Sequence, residues 1–218
     1  MTGLFVTATD TGVGKTWVAC ALARAAVRRG LRVAVCKPCE TGDGDDGARL
    51  IAATGRALDE SLARPYRFAL PASPEVAARA EGRVVEIDRI ASAYTRLADD
   101  ADFTIVEGAG GLCVPVAPGL LMADVALRLG LPLLVVARAS LGTVNHTLLT
   151  IEAARARGLA IAGVVICRAV DSAGPDEPTN PDAIASYGRV PILGRFPYGS
   201  DADAAADVVL AQIQRRAR

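Results

Sequence analysis

The chain has 218 residues and a formal net charge of zero, with 24 Lys and Arg balanced by 24 Asp and Glu. This length suits one sizeable α/β domain over residues 1–218 and is small for two. The balanced charge gives no basic surplus that would hold a nucleic acid or an anionic membrane, so we expect a small-molecule partner.

The first predicted strand, residues 4–8, leads into a loop that reads A-T-D-T-G-V-G-K-T over residues 8–16. Small residues in such a loop let backbone N–H groups converge on phosphate oxygens, and the following helix adds partial positive charge. In this pattern Lys15 reaches the outer phosphates and the Thr16 hydroxyl binds magnesium. The common loop pattern has a Gly six residues before the Lys, where this chain has Thr9. A longer variant of the loop has its Gly where this chain has Ala8. An ordinary turn with a capping Thr therefore stays open on this stretch alone.

A helix is predicted over residues 16–29, because a cationic last turn is followed by a glycine. The next strand, residues 31–36, delivers Lys37 to its carboxyl end. Lys15 and Lys37 are the two lysines of the chain, whereas the other 22 basic residues are Arg. Codon bias toward Arg explains most of this skew. A compact ammonium nevertheless suits phosphate binding, so we interpret the two lysines as a site.

Five cysteines are scattered along the chain, and their odd number argues against a secreted disulfide framework. Cys36 and Cys39 form a C-x-x-C, so a redox or metal role is an alternative. A four-ligand zinc site would need distant cysteines, because the chain has a single His and no second C-x-x-C. The N-terminus also lacks the features of a signal peptide, and we expect a cytoplasmic protein.

Residues 40–47 are polar and rich in Gly, which predicts irregular structure. One of their acids could bind magnesium, but spacing alone favours a solvated acidic turn. Helices are predicted over residues 46–54 and 87–97. Between them, residues 56–83 contain three prolines and are predicted to be irregular with one short helix, as in a lid or substrate wall.

A second nucleotide-site pattern follows the predicted strand over residues 103–106. The strand leads into Glu107 and then a run of small residues, Gly108 to Gly111. A nucleotide site needs this combination opposite its phosphate loop, because the carboxylate binds magnesium and the small residues admit the backbone.

Two further helix, Gly, strand units place strands over residues 131–137 and 159–167, and a last strand is predicted over 190–194. This rhythm predicts a parallel sheet covered on both faces, with ligands at the carboxyl ends of its strands. The run 131–137 is too short to span a membrane. A helix is predicted to open within residues 141–147 and another over 204–215, while residues 172–181 are predicted to be a surface loop. The single His146, with no G-x-S-x-G, disfavours a Ser-His-Asp hydrolase.

Four motifs together resemble the dethiobiotin synthetase family: the phosphate loop, C-K-P-x-x-T-G from Cys36, V-E-G-A-G-G from Val106 and L-G-x-x-N-H from Leu141. The resemblance covers nearly the whole chain. It implies a three-layer α/β/α fold of the P-loop NTPase type with a mostly parallel central sheet, and a homodimer. It also implies an ATP- and Mg2+-dependent cyclo-ligase that closes the ureido ring of dethiobiotin from 7,8-diaminononanoate (7,8-diaminopelargonate) and CO2, through a carbamate and a carbamoyl phosphate.

The same resemblance implies roles for individual residues. Lys37 and Lys15 would be catalytic, and Lys37 would steady the carbamate and the transferring phosphate. The magnesium ligands would be Thr16, Asp46 and Glu107. The nucleotide would be bound by Gly12, Val13, Gly14, Lys15, Thr16, Trp17, Glu107, Gly108, Ala109, Gly110, Cys167, Arg168, Pro197, Tyr198 and Gly199. The substrate would be bound by Thr11, Thr41, Gly111, Leu112, Leu141, Gly142 and Asn145, with help from a second subunit.

Three points stay open against this resemblance. Cys167 and Arg168 stand where many family members carry Asn for the adenine edge, which leaves the base preference undecided. Asp45 is an alternative to Asp46 as metal ligand. A ParA/MinD-like switch ATPase would share the fold, but that class carries a Lys five residues before the loop lysine, where this chain has Asp10.

Two more distant classes fit less well. Amidating cobyrinate-type synthases need a glutaminase domain that this length excludes. Iron-protein reductases need paired cysteine ligands, which Cys113 alone does not supply.

Overall fold

The computed structural model describes residues 3–169, 177–199 and 202–216. In chain order the elements of these ranges are β1 Gly3–Ala8, α1 Lys15–Arg28, β2 Val33–Cys36, β3 Cys39–Thr41, α2 Asp46–Ala53, α3 Glu60–Ala63, β4 Tyr66–Phe68, α4 Pro74–Ala80, α5 Ile87–Ala98, β5 Phe103–Glu107, β6 Pro115–Ala117, β7 Leu120–Leu121, α6 Met122–Leu129, β8 Leu133–Arg138, α7 Thr143–Arg155, β9 Ile161–Cys167, α8 Asn180–Gly188, β10 Ile192–Phe196 and α9 Ala202–Arg216.

Within these ranges six strands form one parallel sheet in the order β10-β9-β8-β1-β5-β2. Successive side chains of a strand point to opposite faces, so Phe5 of β1 enters one core while Leu4 and Val6 enter the other. Helices α1, α2 and α9 contribute to the core with Leu4, and α4 to α8 contribute to the core with Phe5. The predicted three-layer α/β/α fold with a parallel central sheet is confirmed.

The turn from β1 into α1 depends on one glycine. Gly14 is the N-cap of α1 and has φ 99°. Residues other than glycine adopt this left-handed backbone conformation only at an energetic cost. The turn brings Lys15 and Thr16 into the first turn of α1, directly beyond the carboxyl end of β1.

The prediction for residues 56–83 was wrong, because the segment contains the helices α3 and α4 and the strand β4. Asp59 caps α3 by accepting a hydrogen bond from the backbone N–H of Ser61, and Pro74 occupies the first turn of α4. Strand β4 pairs with β3 in a small parallel sheet, so residues 40 and 41 also lie in a strand rather than in an irregular turn.

Two other predictions also need correction. Residues 180 and 181 were assigned to a loop, but α8 begins at Asn180 and Pro181 lies in its first turn; residues 172–176 lie outside the described ranges. The last strand was placed too early and runs to Phe196, and a hairpin of β6 and β7 was not predicted. None of the helices described is long and apolar enough to cross a membrane.

Candidate functional site

A cavity of about 640 Å³ lies beyond the carboxyl ends of β1, β2 and β5. The register of the sheet explains its position, since Val6 of β1 pairs with Glu107 and Cys36 of β2 pairs with Val106. The residues that follow these strands therefore face one another across the sheet edge. Predicted site residues that line the cavity are Thr11, Gly12, Gly14, Lys15, Thr16, Trp17, Lys37, Thr41, Asp46, Glu107, Ala109 and Gly110.

Glu107 is the centre of the polar contacts in this cavity. Its carboxylate is fully buried, and its Oε1 accepts hydrogen bonds from Lys37 Nζ at 2.5 Å and from Thr16 Oγ1 at 2.8 Å. Lys37 Nζ also donates to Asp46 Oδ2 at 3.2 Å. Lys37 is thus held between two carboxylates, with 5% of its side chain exposed.

Lys15 lies in the same cavity but has a different partner. Its Nζ donates to the backbone oxygen of Asp10 at 3.1 Å, and the carboxylate of Asp10 is paired in turn with Arg138 at the end of β8, at 2.6 Å. The Lys15 ammonium is therefore hydrogen-bonded to a residue of its own loop. A phosphate that enters the cavity would meet an ammonium whose partner is an uncharged carbonyl oxygen.

The environment shifts the pKa values of the two lysines in opposite directions. Burial, and then the charge of Lys37, lowers the pKa of Lys15 to about 8 against partial compensation by nearby carboxylates. Burial alone would also lower the pKa of Lys37, but the charges and hydrogen bonds of Glu107 and Asp46 outweigh it and raise that pKa. Burial opposes ionisation of Asp46 as well, yet the charge of Lys37 and the nearby hydroxyl of Thr16 keep its pKa below the usual range.

Oxygen atoms at one end of the cavity fit a magnesium ion. Thr16, Asp46 and Glu107 offer a hydroxyl and two carboxylates, which are the hard ligands that magnesium prefers. Glu107 Oε2 is buried and has no hydrogen-bond partner, so one acceptor is open for a cation. No group of three or more His, Cys, Asp or Glu side chains forms a metal centre in the described ranges. The small number of protein ligands here is consistent with a magnesium ion that also binds substrate phosphates.

Comparison with known proteins assigns the chain to a family. The sequence model of a family described as an AAA domain matches residues 2–206. The protein named ATP-dependent dethiobiotin synthetase BioD from Anaeromyxobacter dehalogenans strain 2CP-C is 47% identical over 98% of this chain and 100% of its own. The protein of the same name from Bacillus cereus strain G9842 is 42% identical over 91% of this chain and 84% of its own.

The chain belongs to the dethiobiotin synthetase family. The resemblance read from the four motifs is thereby confirmed.

Solved structures agree on the fold at much lower identity. The cell division ATPase MinD of Pyrococcus furiosus has a TM-score of 0.61 at 18% identity and covers 99% of this chain and 100% of its own. A ParA family ATPase from Chlorobium tepidum TLS has a TM-score of 0.56 at 19% identity and covers 98% of this chain and 92% of its own. At these identities the likeness shows the P-loop NTPase fold alone.

Some residues that the dethiobiotin synthetase resemblance implicated lie outside the main cavity. Gly111 and Leu112 line a second cavity of about 430 Å³, together with Asp10, Thr11 and His146. Leu141, Gly142 and Asn145 precede or open α7, are exposed, and line neither of these two cavities. Within one chain the structure therefore does not bring this group to the lysines.

Other predicted nucleotide-binding residues lie at the carboxyl ends of β9 and β10. Cys167 ends β9 and lies beside the phosphate loop: a Cβ placed on Gly14 would be only 2.5 Å from its Sγ. The ring of Trp17 meets that of Phe196 edge to face, with centroids 5.8 Å apart. The remaining members, Arg168, Pro197, Tyr198 and Gly199, follow these two strands, and Tyr198 is half exposed.

Two predicted nucleotide-binding residues do not line the main cavity. Val13 is buried in the core behind the phosphate loop. Gly108 follows β5, and a Cβ there would come within 3.0 Å of the Phe5 ring.

Several cavity residues were not predicted individually as site residues. Glu40 and Arg49 line it, as do residues 71–74, whose segment was expected to form a lid or wall. Glu40 follows Lys37 by three positions, and that closeness was the available signal. Arg138 was also missed, since its partner Asp10 lies 128 residues away in the sequence.

Proposed function

We propose that this chain is an ATP-dependent dethiobiotin synthase. It closes the ureido ring of dethiobiotin from 7,8-diaminononanoate and CO2. The observation that carries the proposal is the placement of Lys37 beside Glu107, at the base of the cavity that also contains the phosphate-loop lysine. One lysine serves the phosphates of ATP, and the second is available to an anion on the other substrate.

The chemistry needs positioning and charge rather than a protein nucleophile. One amine of the diamine combines with CO2 to give a carbamate, ATP phosphorylates that carbamate, and the second amine displaces phosphate to close the ring. Gly12, Gly14 and Lys15 hold the triphosphate. The ammonium of Lys37 neutralises the carbamate and the transferring phosphoryl group, which is how phosphoryl-transfer sites stabilise their transition states.

Magnesium is held in this proposal by Thr16, Asp46 and Glu107, and when bound it neutralises charge on the phosphates. Asp46 is preferred over Asp45 because it lines the cavity and pairs with Lys37. Asp45 is mostly exposed on its side chain and lies against Arg64 instead.

The diamine is proposed to lie along Thr11, Thr41, Gly111 and Leu112. Its carboxylate binds the N-terminus of α7, at Leu141, Gly142 and Asn145, where free backbone N–H groups attract anions. These three residues are exposed and line neither cavity in the single chain, so we propose that a second copy supplies them and that the protein acts as a homodimer. The nucleotide base is placed against Trp17, Cys167 and residues 168 and 197–199. Free cysteines among the described residues support a cytoplasmic location.

The reaction is tested by supplying ATP, magnesium, bicarbonate and the diamine to the purified protein. Phosphate release should require the diamine, and dethiobiotin should form in equal amount. Phosphate release at the same rate without diamine would instead indicate a switch ATPase of the MinD or ParA kind.

Lys37→Arg is the matched variant for this assay. It keeps a positive charge beside Glu107, so the fold should be retained, but the planar guanidinium misplaces that charge. We expect about a hundredfold loss of ring closure, in line with the effect of small displacements at a reacting centre. Arg128→Met, which breaks a surface pair with Asp88, should leave the rate unchanged.

The shared site is tested by mixing inactive subunits. Asn145→Ala and Lys37→Arg should each lose activity alone. A mixed dimer has one site with both residues intact, so mixing should restore up to about a quarter of the activity if subunits exchange at random. No recovery in dimers shown to be mixed would place both residues in a site within one chain.

A further inference from the structure

A buried ion pair lies beside the cavity and has no part in the proposed chemistry. Glu40 of β3 and Arg64, which follows α3, are 3% and 7% exposed. Glu40 Oε2 accepts hydrogen bonds from Arg64 Nε at 3.0 Å and from Nη2 at 2.7 Å. Burying two charges is costly unless they are paired with good geometry, so their retention asks for a reason.

Binding of a substrate ammonium is not that reason, although Glu40 lines the cavity. Its Oε1 accepts a hydrogen bond from the backbone N–H of Gly47 at 2.9 Å, while Oε2 is engaged by Arg64. Arg67 Nε lies a further 3.5 Å from Oε2. Both carboxylate oxygens are thus committed to protein partners, and the carboxylate serves as a tie between β3 and α2.

Glu40 and Arg64 contact the two residues that flank Asp46. Gly47 is held by its N–H on Glu40, and its missing side chain admits the stem of Arg64, since a Cβ there would lie 2.7 Å from Arg64 Cγ and Cδ. Asp45 makes no side-chain capping bond to α2, and its carboxylate approaches Arg64 Nη2 at 3.4 Å. The pair therefore contacts the chain on both sides of Asp46, through the backbone of Gly47 and the carboxylate of Asp45.

We propose that Glu40 and Arg64 are positioning residues that set Asp46 for the metal-nucleotide complex. The inference rests on the proposed function, in which Asp46 ligates magnesium and pairs with Lys37. Without the clamp, defined as Glu40 and Arg64, the first turn of α2 would keep the contact of Asp46 with Lys37 but lose the contacts of Gly47 and Asp45 with the pair. Residues that orient metal ligands change metal affinity by about 10–100-fold when they are removed, and we expect that range here.

The main variant is the double substitution Glu40→Gln, Arg64→Met. It leaves no buried charge unpaired, and the Gln side chain keeps an acceptor for the Gly47 N–H, so folding is expected to survive. Arg64→Lys serves as the second variant, because it keeps the charge and loses the fork that binds one carboxylate oxygen twice. Arg67→Met is the matched control, since Arg67 approaches the same carboxylate from the surface with 58% of its side chain exposed.

The readout is binding of Mn2+, as a magnetic substitute for magnesium, to the complex with a non-hydrolysable ATP analogue, followed by electron paramagnetic resonance. The Mn2+ dissociation constant should rise about 10–100-fold in the double variant and less in Arg64→Lys, and should stay within about twofold in Arg67→Met. Nucleotide affinity without metal, followed by fluorescence of the single Trp17, should not change in any of them. A merely structural role would weaken both kinds of binding together and would overturn the proposal.

Asp46→Asn separates failure of the clamp from failure of the metal assignment. If Asp46→Asn weakens Mn2+ binding and the folded double variant does not, the clamp is refuted and the proposed function stands. If the double variant instead raises the KM for the diamine with metal binding intact, Glu40 contacts substrate and the clamp is equally refuted. If Asp46→Asn has no effect on Mn2+ binding, the magnesium assignment fails and the clamp fails with it.

Discussion

Replacing Lys37 with Met, in protein free of nucleotide and divalent metal, should lower the free energy of unfolding by about 3–5 kcal/mol. Most of this loss comes from Glu107, which is fully buried and would keep a single hydrogen bond, from the Thr16 hydroxyl. The broken contact with Asp46 contributes less, at most about 1 kcal/mol, because 38% of that side chain is exposed to water. The expected cost is therefore the cost of an uncompensated buried charge.

Urea unfolding followed by circular dichroism measures this difference, in EDTA and at one protein concentration so that any association is held constant. The double variant Lys37→Met, Glu107→Gln removes both charges and should recover at least about 2 kcal/mol of the loss. A loss below about 1 kcal/mol in the single variant, or strictly additive losses in the double, would refute the reasoning that the pair is held together by burial.

Two further predictions concern the phosphate loop and the thiols. Gly14→Ala should destabilise the protein by about 1–3 kcal/mol more than Gly12→Ala, because both have positive φ but only at Gly14 would the new Cβ lie 2.5 Å from Cys167 Sγ; equal losses in urea unfolding would contradict this. In native protein only Cys113 should react quickly with a thiol reagent such as dithionitrobenzoate, and all five cysteines should react after denaturation; a second fast thiol would count against the described burial. Burial raises the pKa of the other four: to about 11 for Cys20, to about 12 for Cys39 and Cys167, and also upward for Cys36.

The order of the chemistry-bearing residues could be read from the sequence because each follows an apolar run. Apolar strands followed by Lys37 and Glu107 predict that both side chains lie at one edge of a parallel sheet. The neighbour relation of β2 and β5 is not written in the local pattern, since strand order depends on how helices pack over the sheet. The contact of the two side chains needed that order and its register.

The segment after Pro38 shows why local reading failed elsewhere. Gly and Asp dominate residues 40–47, and their intrinsic preferences predict a turn. Strand β3 forms there because a partner from a distant segment, β4, supplies its hydrogen bonds. Glu40 is buried against Arg64, which lies in a distant segment of the chain, so no composition rule could separate it from a solvated acid.

Topology also explains how a shared fold can carry a distinct site. In the order β1-β5-β2 the strand that ends in Glu107 lies between the strand that leads to the phosphate loop and the strand that leads to Lys37. The central acid therefore reaches both Thr16 and Lys37, and it links the phosphate loop to the second lysine through one oxygen atom. Any P-loop protein with this strand order offers the same three strand ends, so its chemistry depends on which side chains stand there. Here an ammonium after β2, held in place by the acid after β5, is the feature on which the proposed synthetic role rests.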